Sequence, residues 1–414
     1  MKADLLIKNA TQLLTVKSDK PKVKGEMEDL GIINDGAIAV RNNRIFRIDK
    51  KINIDAKKTI DASGKIVMPG FIDCHTHLVF SGSRENELKM KLKGKTYLEI
   101  LESGGGIHFT VNKTRKADIK ELVALGLNKL DEMLLNGTTT VEAKSGYGLN
   151  LKDEIKCLKV INELNKRHIV DVVTTFLGAH AIPSEFKSSP DKYVDLIIND
   201  MLPKTGNLAE FCDVFCEKNV FTIEQARKIL NEGKKFGLTP KMHADELYCT
   251  GGAELASETG CISADHLLRA SDTGIKKMAE KGVIGVLLPG TSFTTMEKYA
   301  DARKYIGYGL PVALATDFNP NCWINNMGFI TALACYNMRM TPAEAISAST
   351  INAAFAINRE KEIGSLEIGK KADILILNVP NYESIPYRLG MNIVDTVIKN
   401  GKVVVENGRL RKNG

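Results

Sequence analysis

Hydrophobic positions along the chain follow two rhythms. At both ends they come as short apolar runs and alternations, broken by polar turn residues. ADLLIKNA and GAIAVRNNRIFRID near the start read as strands, with Asn42-Asn43 as a two-residue turn between Ala39-Val40 and Ile45-Phe46. KADILILN and DTVIKNGKVVVENG near the end read the same way, and Asn400-Gly401 is the strongest hairpin signal there. Two β-rich ends around a different middle predict a small β-sandwich built from both termini, residues 1–66 and 360–414.

Over 67–359, short apolar strands alternate with stretches of helical period. GFIDCHTH, TTTVEAKS, VVTTFLGAH, CDVFCE, TPKMHA, ISADHL, GVIGVLLP and PVALATDF are the strand candidates. Between them, Thr222 with Gln225 makes a capping-box pattern. Ile223, Ala226, Ile229 and Leu230 then recur at helical spacing until Gly237 stops the helix. Ile119, Val123 and Leu130 mark one face of a helix ending near Gly137. Eight such β–α units predict an α/β fold with a closed (β/α)₈ TIM barrel, an open doubly wound sheet being the alternative. One connection, residues 78–117, is too long for a simple helix. It follows the first barrel strand and so lies at the face where barrel enzymes work, which makes it a lid or a substrate wall. Gly104–Gly106 within it reads as a hinge rather than an anion cradle, since no phosphate-loop pattern surrounds it.

A length of 414 residues accommodates one large unit plus a smaller one. Net charge is +7 from 57 basic and 50 acidic residues, interspersed in sign. No basic run is interleaved with aromatics, which argues against a nucleic-acid partner. No stretch approaches the roughly 18 apolar residues of a membrane span, and the N-terminus lacks a signal-peptide pattern. The eight cysteines are scattered, mostly in apolar segments, and Cys212 and Cys216 have no second pair nearby. That spacing points to reduced thiols and a cytoplasmic location.

The candidate chemistry lies at strand ends. His75 and His77 flank one residue on a strand, so both imidazoles point to one side and can share a metal ion. Two core histidines would give the same pattern. The rest of the inventory argues otherwise: of seven histidines, His75, His77, His180, His243 and His266 all fall at carboxyl ends of barrel strands, and Asp317 ends the eighth. Glu246 stands three residues after His243, within reach of a reacting water, where a carboxylate can shuttle a proton to a leaving nitrogen. Alone it would be a solvated loop residue. His108 and His168 read as structural.

PGFIDCHTH, HADE, SADH and ATDFNP, with GSLEIGKKADILIL near the C-terminus, resemble the amidohydrolase superfamily over essentially the whole chain. The resemblance implies a barrel with a terminal β-sandwich. No lysine stands in FCDVFCE, where two-metal members carry a carbamylated one. It therefore implies one divalent ion per chain, zinc or iron, on His75, His77, His243 and Asp317. FSGSRENE, ESGGGIHFTVNKTR, VEAKSGYGL, FLGAHAIP, HADEL and DFNPN resemble a branch whose substrate is an imidazolone ring with a propionate tail. Carried over by position, this implies that Arg84, Tyr97, Tyr147, His180, Glu246, His266 and Asn319 bind or act on a small molecule with a carboxylate tail. Where that branch has Gly then Ser or Thr after the last NP, this chain has Asn321 and Cys322, whose backbone groups are then the candidate contacts.

On this reading Arg84 pairs with the tail, although Glu85 or Glu87 in its own SRENE run would also satisfy it. His266 steadies a tetrahedral intermediate, Asp317 takes the proton of water, and Glu246 returns one to the ring nitrogen. The family also implies a homodimer. Two rivals remain at this point. One is an aminohydrolase acting on nucleobases with the same ligands; the other is a non-enzymatic barrel relative, which would have lost them.

Overall fold

The structure is a computed structural model that describes residues 2–95, 99 and 104–411. Tyr97 lies outside the described residues. The two ends of the chain build one nine-stranded mixed sheet. Its N-terminal strands are β1 (Ala3–Leu14), β2 (Ile32–Arg41), β3 (Arg44–Asp49), β4 (Ala56–Asp61) and β5 (Ile66–Pro69). The barrel strands follow in sequence: β6 (Phe71–Thr76), β7 (Thr138–Lys144), β8 (Asp171–Ala179), β9 (Phe211–Cys216), β10 (Thr239–Ala244), β11 (Ser263–His266), β12 (Ile284–Leu287) and β13 (Val312–Leu314). The chain then returns to the first sheet with β14 (Ile374–Leu377), β15 (Val394–Lys399), β16 (Lys402–Glu406) and β17 (Arg409–Leu410). Strand order there is β17-β16-β15-β14-β5-β1-β2-β3, with β4 beside β1. Alternate residues Leu5, Ile7, Ile38, Val40, Ile374, Ile376 and Ile398 share a core of their own. This is the β-sandwich unit made from both termini.

Both turn dipeptides do what their side chains allow. Asn42 and Asn43 have φ of 50° and 66°, and Asn400 and Gly401 have 50° and 74°. Left-handed values at both central positions match the twist of a two-residue hairpin.

The eight middle strands pair in parallel in simple sequence order from β6 to β13. A parallel bridge between Thr76 and Phe318 joins the last strand region to the first. His77 N donates to Phe318 O at 2.9 Å, and Asp317 N to His75 O at 3.1 Å. The sheet is thus a (β/α)₈ barrel and not an open doubly wound sheet. Its closure ties two of the candidate metal ligands together through their backbones.

The outer helices form where caps and period coincide. Thr222 and Gln225 cap each other at the start of Ile223–Lys235, and Gly237 follows at φ 79°. Helix Ile119–Leu135 buries Val123 and Leu130, but Ile119, its first residue, is exposed. Among the described residues, the 78–117 connection carries the helices Glu85–Leu92 and Ile107–Lys116, whose polar composition hid their period. All eight cysteines are free thiols and six are buried. Among the described residues, no helix is long and apolar enough to cross a membrane.

Candidate active site

β6 carries His75, and His77 stands just past its end; β10 carries His243. Inward alternation brings ring nitrogens of all three within 4.8 Å of one another. Asp317, three residues beyond β13, completes the set. Its Oδ1 lies 3.6 Å from His75 Nε2 and 3.5 Å from His77 Nε2, and His243 Nε2 is 3.4 Å from His77 Nε2. His75 Nε2 and Asp317 Oδ1 are fully buried and make no hydrogen bond. Buried polar atoms are rarely left so, and a cluster of them converging on one point is what a cation site requires.

The other nitrogens are fixed from behind. His75 Nδ1 donates to Asp265 at 2.6 Å, and His243 Nδ1 donates to Asp213 at 3.1 Å. Each carboxylate selects the tautomer that leaves Nε2 as a lone-pair donor toward the centre. Burial first, then Lys144 and the crowding of the neighbouring imidazoles, holds His75 and His77 well below the usual imidazole pKa. They are therefore neutral at physiological pH, as ligands must be. The residues fit a divalent cation.

Beneath the histidines lies a floor of buried charge that sequence reading missed. Lys144 Nζ meets Glu142 and Asp213 at 2.8 Å each, and Asp265 at 3.6 Å. Lys241 adds a longer contact to Glu142 at 3.8 Å. Three carboxylates thus face two ammonium groups, so the floor offers no excess positive charge to repel a cation. Burial alone would raise Asp213, but His243 and Lys144 outweigh it and hold its carboxyl well below the usual range. The available signal was the spacing: Lys241 stands two residues before His243, and Glu142 two before Lys144, so each pair shares an inward face.

Glu246 and His266 stand beside the ligands. Glu246 Oε2 is 3.7 Å from His266 Nε2, and the His266 ring centroid is 5.3 Å from that of His243. Burial, then the Asp317 carboxylate, pushes Glu246 up to about 8. Burial likewise lifts Asp317, to about 6, and Thr291 donates to its second oxygen. Asp245 holds the Glu246 loop by accepting the backbone N–H of Thr250, Gly251, Gly252 and Ala253. Glu217 adds a bond from Leu247 N.

On the other side, His180 stacks on His77 with centroids 4.6 Å apart and planes 14° apart, and its Nδ1 donates to Gly146 O at 3.0 Å. Gly146 has φ +103°, and a Cβ there would lie 2.9 Å from the imidazole, so only glycine permits this approach. Tyr147 follows, buried, with its ring 5.3 Å from His180 and 5.9 Å from His77. Glu154 fixes this loop by accepting from Gly146 N, Gly148 N and Leu149 N.

Three predicted residues have their polar groups engaged elsewhere. Arg84 is buried, with Nε and Nη2 on the two oxygens of Glu87 at 2.8 and 2.6 Å. The same carboxylate takes Gly106 N at 2.7 Å, so the triple glycine does meet an anion, one supplied by the chain itself. Asn319 accepts from Asn321 N and Cys322 N and donates to Asp317 O, which shapes the loop after β13. Cys322 is buried, its thiol pushed by burial up to about 12. Away from the site, His168 accepts a bond from Val170 N and pairs with Asp131.

A family model described as "Amidohydrolase family" matches residues 66–404. An imidazolonepropionase of Alkaliphilus oremlandii is 56% identical over 99% of this chain and 100% of its own length. One from a Geobacillus species is 53% identical over 98% and 99%. Among solved structures, a triazine hydrolase of Arthrobacter aurescens superposes with a TM-score of 0.76 at 18% identity, covering 98% of this chain and 95% of that one. A zinc-bound adenosine deaminase of Xanthomonas campestris gives 0.72 at 17%, covering 100% and 95%. At such identities these two speak for the fold alone. The chain belongs to the amidohydrolase family, in its imidazolonepropionase group.

Proposed function

We propose that this protein hydrolyses the ring C–N bond of 4-imidazolone-5-propanoate to N-formimidoyl-L-glutamate, a step of histidine degradation. One observation carries the reading: three imidazoles and a partnerless carboxylate oxygen converge beside the Glu246–His266 pair. The identity of more than half the chain to imidazolonepropionases supports the choice of substrate. His75, His77, His243 and Asp317 would hold one divalent cation per chain, zinc or iron, since imidazole and carboxylate suit either. When bound, it supplies Lewis acidity, which brings the ionisation of water from about 15.7 towards about 7.

The chain's own residues do the rest. Tyr147 and His180 orient the ring, and Arg84, Asn319, Asn321 and Cys322 form the end that receives the carboxylate tail. Asp317 takes the proton as water adds to the ring carbonyl carbon. His266, neutral because burial holds it well below the usual range, donates N–H to the developing oxyanion. Glu246, still protonated at neutral pH, gives its proton to the departing ring nitrogen. The hydroxyl of water ends on carbon, and one hydrogen ends on nitrogen. We take 67–359 as the catalytic unit and 1–66 with 360–414 as the β unit, in a cytoplasmic homodimer that needs no nucleic acid.

The test is product identification after incubation with 4-imidazolone-5-propanoate, a tail-less imidazolone and a panel of nucleobases. Formimidoyl-glutamate should appear without release of ammonia. Ammonia from a nucleobase, with the imidazolone untouched, would replace this reading with a deaminase.

A further inference from the structure

Lys129 is a buried cation that the mechanism above leaves unused. It lies on the helix Ile119–Leu135, and its Nζ donates to Leu78 O at 3.1 Å and to Phe80 O at 3.3 Å. The same nitrogen stands 3.2 Å from the centroid of the Phe80 ring, with the rings of Phe318 and Trp323 at 5.7 and 5.8 Å. Among the described residues no carboxylate pairs with it, and Glu132 acts on it only through space. Carbonyl oxygens and ring faces supply the negative potential that a counter-ion would otherwise bring. Burial pushes the amine down to about 7, and both of its forms keep N–H donors for the two carbonyls. A polar nitrogen among three aromatic rings is costly, and a methionine would fill the same space with less desolvation. The lysine is therefore explained by the two carbonyls it bonds, not by packing.

Those contacts fall at a particular place. Leu78 directly follows His77, and Phe318 directly follows Asp317. These two ligands come from the first and last barrel strands, β6 and β13, which the Thr76–Phe318 bridge joins. β6 ends at Thr76 and β13 is three residues long, so regular pairing stops short of both His77 and Asp317. Beyond it, the rings of Phe80, Phe318 and Trp323 pack on one another with centroids 5.4 to 5.8 Å apart, around Lys129. We propose that Lys129 is a positioning residue that locks the barrel seam at its reactive end, holding His77 and Asp317 at the spacing one divalent cation requires. This rests on the metal reading above. Such sites work only while their ligands stay within about 0.5 Å of the productive arrangement. Bonds from an outer helix to a residue beside a ligand provide that precision where strand pairing no longer does. Phe80 also meets Tyr147, with centroids 6.1 Å apart, so the lock reaches the wall of the substrate site.

Trp323 is the chain's one tryptophan, so intrinsic emission reports on this cluster. The experiment uses the full-length protein as wild type, Lys129→Met, Lys129→Arg, Phe80→Leu and the Lys129→Met/Phe80→Leu double variant. Zinc affinity is read by competition with a chromophoric chelator, without substrate, and kcat and KM are then read at saturating zinc. In Lys129→Met zinc affinity should fall on the order of 10-fold, as when other supporting partners of metal ligands are removed, with kcat lowered more than KM is raised. Trp323 emission should shift in the same variant. Lys129→Arg should recover most of the affinity by keeping N–H donors. Because lysine and ring act on one seam, the double variant should lose little more than the worse single one. Lower stability in urea, with zinc affinity and kcat unchanged, overturns the proposal and makes Lys129 a plain brace. So does a double variant whose losses simply add. Wild type that fails to bind zinc overturns the metal reading and this proposal together. The expected affinities with 4-imidazolone-5-propanoate left unopened would uphold the lock and overturn the substrate assignment alone.

Discussion

The two ends of the barrel are built to opposite specifications. At the carboxyl end, Asp245, His266, Leu267 and Asp317 all hold left-handed backbone, with φ from 50° to 74°. Nitrogens of His75, His77 and His266 and an oxygen of Asp317 are buried without a hydrogen bond. At the amino end, where only Thr138 Oγ1 at the start of β7 is left without a partner among the described residues, buried charges and amides are paired. Lys399 binds Asp373 at 2.6 Å and Asp171 at 2.8 Å, and Asn352 bonds Lys22 through both its oxygen and its nitrogen as well as Val312 O. Strain and partnerless atoms persist only where the surroundings enforce them, and they concentrate at the end that does chemistry. The amino end instead fastens the terminal sheet to the barrel: β15 supplies Lys399, and β8 begins at Asp171. A barrel can thus separate reactivity from stability along its own axis.

Three substitutions sharpen that contrast. The largest effect belongs to Glu246→Gln, which should keep the fold while turnover falls roughly 10²- to 10⁴-fold, the usual worth of proton transfer. Steady-state kinetics on protein of verified metal content decides this, and an unchanged rate would return Glu246 to a plain loop residue. Next comes Lys399→Met, which leaves Asp373 facing a buried methyl group. Unfolding in urea should show a loss of about 3 kcal/mol, with kcat/KM of the folded enzyme retained. A matching loss of kcat/KM would mean the two ends are not separable.

The smallest is Asp171→Asn, read against pH. Burial raises this carboxyl, but Lys399 and Lys371 outweigh it and hold it below its usual range. Its stabilisation is therefore present above the unfolded value of about 3.9 and is lost as pH falls through the lower folded value. The variant should be less stable at pH 7 by roughly 1 kcal/mol, a modest figure because the side chain is one-third exposed and screened. The two proteins should converge as pH drops below about 4. A difference that stays constant down to pH 2 would assign the effect to packing.

Much of the chemical end was legible because histidine is rare here and its placement is informative. His75, His77, His180, His243 and His266 could be assigned to one end of the barrel from strand order alone, and Asp317 with them. Turn and cap residues were equally plain, since Asn43, Gly401 and Thr222 act within a few residues of themselves. The charged floor was not. Glu142, Lys144, Asp213, Lys241 and Asp265 look like the solvent face of half-buried strands, and only closure of the barrel puts them inside. The Arg84–Glu87 pair depends on which of two neighbouring carboxylates a local helix presents, a choice left open by the SRENE run.

The central claim is that a single divalent cation on His75, His77, His243 and Asp317 makes the carboxyl end reactive. Stripping the protein with a chelator and titrating zinc or iron back tests it, with turnover and bound metal read at each addition. Turnover should vanish in the stripped protein, which stays folded, and return in full at one ion per chain, while His243→Ala recovers neither metal nor activity. Full turnover in the chelated protein, or a requirement for two ions per chain, would contradict the account.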